Sequence, residues 1–162
     1  MANEPGWFAL NKFAGILGQT HPRYAGRPNI TSAIRSQTKA GKGELQRLGI
    51  TQCHYVFGPE LEIPGPAVFD KERSTADLLN NAYGSDLVKF SYRFLSAGKS
   101  FETDLECNLP IAQHLEKPLA LVSHKSGKKA KTHFRKLKDS QSISLWEATT
   151  THPRIDQVRL HA

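Results

Sequence analysis

The chain has 162 residues, 38% of them hydrophobic and 23% charged, enough for one modest core and too few for two ordinary domains. Lys and Arg number 22 against 15 Asp and Glu, giving a formal net charge of +7 and a pI near 9.5, which directs attention to polyanionic partners. Two cysteines, Cys53 and Cys107, exclude a disulfide framework, lack the close spacing of a zinc site and read as buried thiols.

The N-terminus, Met1–Leu17, sets an acid and a proline ahead of its apolar residues and a lysine among them, so it reads neither as a secretory signal nor as a membrane span. A cytoplasmic chain is the expectation. Trp7–Leu10 reads as an opening strand, followed by a turn at Gly15 and Gly18 and a second extended piece ending at Pro22. Asn29 stands as an N-cap before Ile30, Ala33, Ile34 and Gln37, which repeat at helical spacing. A polar, glycine-punctuated stretch carries a hint of helix at Glu44–Leu48. Between Gln52 and Asp70 two short strands flank a proline-rich turn holding Glu60 and Glu62.

The clearest helix starts at Ser74, with Asp77 three residues on as in a capping box and Gly84 as its stop. Ala76, Leu79 and Tyr83 share one of its faces. Val88, Phe90, Tyr92 and Phe94 then alternate as in a strand. From His124 to Lys138 seven lysines and arginines surround a Ser-Gly turn and run onto a strand. That strand places Lys131, His133 and Arg135 on one face and Thr132, Phe134 and Lys136 on the other. Such a stripe is either a solvated hairpin or a surface for RNA phosphates. Strands outnumber helices without a βαβ rhythm, which predicts a single α+β domain over residues 1–162, built on a mixed, largely antiparallel sheet with a few short helices.

The seven histidines show no metal-ligand spacing, so no metal site is expected. No Gly-x-Ser-x-Gly elbow and no phosphate-binding glycine loop is present, which argues against a serine hydrolase and a nucleotide-binding enzyme.

Five pieces occur in a known order. Asn11–Pro22 resembles the Asn-Lys-Pro-Ala-Gly opening of the RluA-type pseudouridine synthases, and Pro64–Lys71 with the helix after it resembles that family's Ser-Gly-Leu-Leu-Leu-Phe-Ala-Lys strand and helix. Val88–Gly98 is similar to Lys-x-Tyr-x-Ala-x-Val-x-Gly. Gly127–Leu137 follows Gly-Lys-x-Ala-x-Thr-x-Phe-Arg-x-Leu closely, and His152–Ala162 resembles Thr-Gly-Arg-Thr-His-Gln-Ile-Arg-Val-His-Leu. The resemblance implies a pseudouridine-synthase-like catalytic fold, an RNA partner such as structured rRNA or tRNA, and an isomerisation of uridine that needs no cofactor.

Carried over residue by residue, the family's stacking tyrosine falls on Tyr92 and the arginines of its last motif on Arg154 and Arg159, while that motif's histidine falls on Asp156. The catalytic His-Arg-Leu-Asp falls on His54-Tyr55-Val56-Phe57, so Phe57 stands where the family has its nucleophilic aspartate. Phenylalanine offers neither nucleophile nor acid. The resemblance therefore implies an RNA-binding pseudoenzyme with Phe57, Tyr92, Arg154 and Arg159 lining a vestigial pocket. Lys12, Lys128, Lys129, Lys131 and Arg135 would contact RNA phosphates, with His54 and Tyr55 beside them. One alternative gives Glu60 or Glu62 the role of the lost carboxylate, although a nucleophile must come within about 3–3.5 Å along a defined line. Another is a protein-interaction or structural subunit without RNA. The chain also stops at Ala162, before elements that complete the family's catalytic domains, which predicts a small core or a homo-oligomeric or other protein partner on the C-terminal sheet edge.

Overall fold

In the computed structural model, which describes residues 1–98, 102–114 and 119–162, the alternation after Gly6 becomes a strand whose Phe8, Leu10 and Lys12 side chains all turn inward. The chain packs as two units, Met1–Ala82 and Tyr83–Ala162. In the first, β1 (Ala2–Asn3), β2 (Trp7–Lys12), β3 (His54–Phe57) and β4 (Gly65–Asp70) form an antiparallel sheet in the order β1-β2-β4-β3. Phe8 pairs with Phe69 across β2 and β4, and their rings stack with centroids 5.2 Å apart. Ile34, Ile50, Cys53 and Ala67 complete this core. A bulge between Tyr55 and Phe57 breaks the β3–β4 register.

Two helices connect β2 to β3. The first, α1 (Ile30–Lys39), is capped as expected: the Asn29 side chain accepts a 2.8 Å bond from the Ser32 amide. The second, α2 (Gly43–Arg47), is a short turn of helix. After β4 comes α3 (Arg73–Gly84), which half-buries Ala76, Leu79 and Tyr83 on one face. It begins one residue before Ser74, so Ser74 lies inside its first turn, and the left-handed residue beyond its end is Asp86 at φ 59° rather than Gly84.

Six strands are described in the second unit: β5 (Phe90–Ala97), β6 (Asp104–Cys107), β7 (Ile111–Gln113), β8 (Ala120–Val122), β9 (Thr132–Asp139) and β10 (Ile143–Thr150). An antiparallel sheet runs β5-β10-β9-β6, and β7 and β8 form a separate hairpin. The inner face of the large sheet carries Phe134, Trp146 and Ala148, with Tyr92, Phe94, Cys107 and Val158 against them. The hairpin closes a smaller cluster of Ile111, Ala120 and Ala130. The last element, α4 (Gln157–His161), gives Val158 to one cluster and Leu160 to the other. The α+β class and the antiparallel pairing agree with the expectation; the strands are shared among three sheets, and the parallel component among the described residues is one isolated bridge, Leu17 to Asn29. No helix among the described residues is long and apolar enough to cross a membrane.

Candidate nucleic-acid interface

Lys12 was expected on the RNA-facing surface, and the structure corrects this. It is 1% exposed, and its Nζ donates to the carbonyls of Phe13 and Leu61 at 3.1 and 3.3 Å. Burial pushes its pKa down, with the nearby Glu62 opposing that shift. The cause is strand parity: Lys12 is in phase with Phe8 and Leu10, so a β2 that runs on to residue 12 must turn it inward. Its ammonium holds down the proline-rich turn instead, together with the Gly15 amide, which donates to the same Leu61 carbonyl at 2.7 Å. On that turn Glu60 is half-buried and Glu62 exposed.

The remaining expected residues of the first unit sit on β3. His54 is exposed and its Nδ1 lies 2.8 Å from Asp70 Oδ1, a carboxylate that is itself buried. Tyr55 leans inward, edge-on to Phe69 at 5.7 Å, and its ring fills the space that a Cβ on Gly18 would need. Tyr55 is thus core packing. Phe57 follows the bulge, half-buried, opposite Val68.

In the second unit the basic strand alternates as expected, but its outward side chains are engaged with carboxylates. Lys131 Nζ lies 2.8 Å from Glu106, His133 Nε2 2.6 Å from Asp104, and Arg135 Nη2 2.8 Å from Glu147. Antiparallel pairing of β6, β9 and β10 sets these acids beside the bases. The stripe at Lys131 and Arg135 is therefore largely neutralised within the protein.

The Lys131 ammonium, followed by the Asn108 amide, holds the Glu106 carboxyl below the usual carboxylate range; for Glu147 the Ser91 hydroxyl leads and Arg135 follows. Carboxyls with a lower pKa when folded add stability that is complete above their ordinary 4.5 and lost as the pH falls through the lowered folded value. The urea midpoint reported by Trp146 fluorescence should accordingly fall between about pH 5 and pH 3. It should fall less in a Glu106→Gln/Glu147→Gln variant; an equal fall there would remove these pairs as the cause.

Lys128 and Lys129 behave differently. The turn before them is held by Gly127 N to Ser123 O at 2.8 Å, and Lys128 exchanges two backbone bonds with Ile111 at 2.9 and 3.0 Å. Both side chains are exposed and neither enters an ion pair among the described residues. Tyr92 packs against the Phe134–Trp146–Ala148 cluster. Arg159 reaches back to Asp156, with contacts of 3.2 and 2.9 Å.

Arg154 is half-buried and lines two clefts of the second unit. One, of about 290 Å³, includes Ile111, Gln113, Lys128 and Ile155. The other, of about 670 Å³, includes Asp86, Lys129, Lys131, Thr151 and His152. The residue that holds Arg154 in place was not anticipated. Gln157, 2% exposed, accepts from the Arg154 amide at 2.8 Å and donates to the Lys131 carbonyl and to the hydroxyls of Thr132 and Thr150 at 2.9–3.2 Å. Also unanticipated was the contact between His152 Nδ1 and Asp86 at 2.6 Å, bridging 66 positions of sequence.

Among solved structures, the human protein titled RNA Pseudouridylate Synthase Domain Containing 4 superposes with a TM-score of 0.74 at 15% identity, over 98% of this chain and 61% of that one. The fold is pseudouridine synthase-like. A second human protein, RNA Pseudouridylate Synthase Domain Containing 1, superposes with a TM-score of 0.69 at 12% identity, again over 98% of this chain. This chain spans 61% of the length of each of them. No protein-family model matches the sequence, and no curated protein matches it.

Proposed function

We propose that this pseudouridine synthase-like protein is an RluA-type relative that binds RNA, in the class of structured rRNA or tRNA, without isomerising uridine. The observation that carries this reading is Phe57, which stands on β3 where the resemblance places the catalytic aspartate. A hydrocarbon ring neither attacks the nucleotide nor exchanges its proton. The likeness of fold supports an RNA partner, and so do the net charge of +7 and the exposed Lys128 and Lys129. Arg154 is the inherited arginine of the pocket, positioned by Gln157.

The test is binding to a structured ribosomal RNA mixture over a salt series, then a pseudouridine assay on the retained RNA. Retention that weakens steeply with salt, without new pseudouridine, is the expected result. New pseudouridine that disappears on Glu60→Gln or Glu62→Gln would assign catalysis to the turn and overturn the pseudoenzyme reading.

A protein-partner reading draws on a separate observation. Leu95 and Ile143, on the outer face of the β5–β10 pair, are 66% and 46% exposed, and β5 and β6 are the edges of their sheet. A stable oligomer combined with salt-independent, negligible RNA retention would favour it.

A further inference from the structure

We propose that the Tyr83–Ala162 unit seats one phosphodiester of single-stranded RNA between Lys129 and Arg154, with the adjoining base laid against His152. This rests on the RNA-binding reading and assigns it a site and a strand form. The cleft of about 670 Å³ lies within the range of small-ligand pockets, and a single nucleotide fits that volume.

Among the cations lining the cleft, Lys131 is taken by Glu106 at 2.8 Å, whereas Lys129 has no ion pair among the described residues. Arg154 contributes a guanidinium whose Nε is buried with no hydrogen-bond partner among the described residues. A buried N–H without a partner is an unmet donor, and a small turn of the guanidinium, which lines the cleft, would offer it to a phosphate oxygen as a charge-assisted bond.

The base platform is preorganised. Asp86 holds His152 by Nδ1 at 2.6 Å, and the Tyr83 ring lies 4.7 Å from the imidazole, itself edge-on to Phe90 at 5.9 Å. The Asp86 carboxyl, kept below the usual carboxylate range first by Thr151 and then by His152, stays ionised at neutral pH and is turned to the task of holding the imidazole, so the phosphate is drawn to the Lys129–Arg154 side of the cleft. A ring fixed in this way accepts a stacked base with little further ordering, and an aromatic face beside a cationic groove is how unpaired strands are held without sequence preference. Bases inside a duplex are stacked on one another and cannot use it.

The experiment measures fluorescence anisotropy of the full chain with a 12-nucleotide oligouridylate, an abasic oligomer of equal charge and an RNA duplex of equal length, over a salt series. The wild-type protein should prefer the oligouridylate to both others, by about tenfold over the abasic strand. Lys129→Ala should flatten the log–log salt slope by about 0.7, the share of one phosphate contact on a single strand. His152→Ala should erase the preference for bases and leave the slope unchanged. Trp146 fluorescence confirms that each variant is folded. Wild-type behaviour from both variants, or preference for the duplex, would overturn the site while leaving RNA binding intact. Failure of the wild-type protein to bind any RNA at low salt would overturn both.

Discussion

Replacing Gln157 with leucine should lower the stability of the Tyr83–Ala162 unit by roughly 3 kcal/mol, although leucine is close to glutamine in volume and more apolar. The side chain is 2% exposed; its Oε1 accepts one hydrogen bond and its two N–H groups serve three acceptors at 2.9–3.2 Å, one N–H being shared. Leucine fills the space but leaves the Arg154 amide, the Lys131 carbonyl and two threonine hydroxyls without that partner. Each buried polar group stranded in this way costs about 1–3 kcal/mol, and relaxation returns part of the total. His161 continues the network: it lies 2.8 Å from the Thr132 hydroxyl and 2.9 Å from the Leu109 carbonyl, so the loss should spread to α4. Urea unfolding followed at Trp146, with Trp7 replaced by phenylalanine, reads the effect directly. A loss under about 1 kcal/mol would mean that this network contributes no more than an average hydrogen bond. Because the same amide holds the Arg154 backbone, the proposed RNA binding predicts a lower affinity in this variant under conditions where it remains folded.

Gly127→Ala should cost about 3 kcal/mol and shift both neighbouring lysines. A Cβ at Gly127 would overlap the Ser123 carbonyl oxygen and stand 2.8 Å from the Pro110 carbonyl carbon. Both are backbone atoms and cannot swing aside as a side chain can. Relief requires opening the Ser123–Gly127 turn, and with it the two bonds between Lys128 and Ile111. Gly84→Ala is the matched control. Nothing lies within 4 Å of the added methyl there and the residue ends α3, so alanine should be neutral or stabilising by up to about 1 kcal/mol. Thermal unfolding of the two variants should move in opposite directions or differ by several degrees. Equal midpoints would show that the turn yields more easily than its backbone contacts imply.

Much of this architecture is written in short-range pattern. The Asn29 cap, the half-buried face of α3 and the alternation of β5 and β9 follow from residues within a few positions of one another, where rise and periodicity decide which side chains share a face. Lys12 was legible by the same rule, but only once the opening strand is carried two residues past Leu10. The order of five family-like motifs carried the fold, and that expectation agrees with the structural likeness.

Pairing over distance was not legible. Glu106, Asp104 and Glu147 neutralise the basic stripe because antiparallel registry brings β6 and β10 beside β9, a relation that no local pattern encodes. Gln157 reads as one more polar residue among arginines and histidines, yet tertiary packing removes it from water and makes each of its bonds obligatory. The Asp86–His152 contact joins the end of a helix to the end of a strand across 66 positions. By itself the sequence determined the class of fold and the faces of its elements, because each is a property of residue type or short spacing. Only the tertiary structure decided which cations remain uncommitted, because a charge is neutralised by whatever the fold brings within a few ångströms of it.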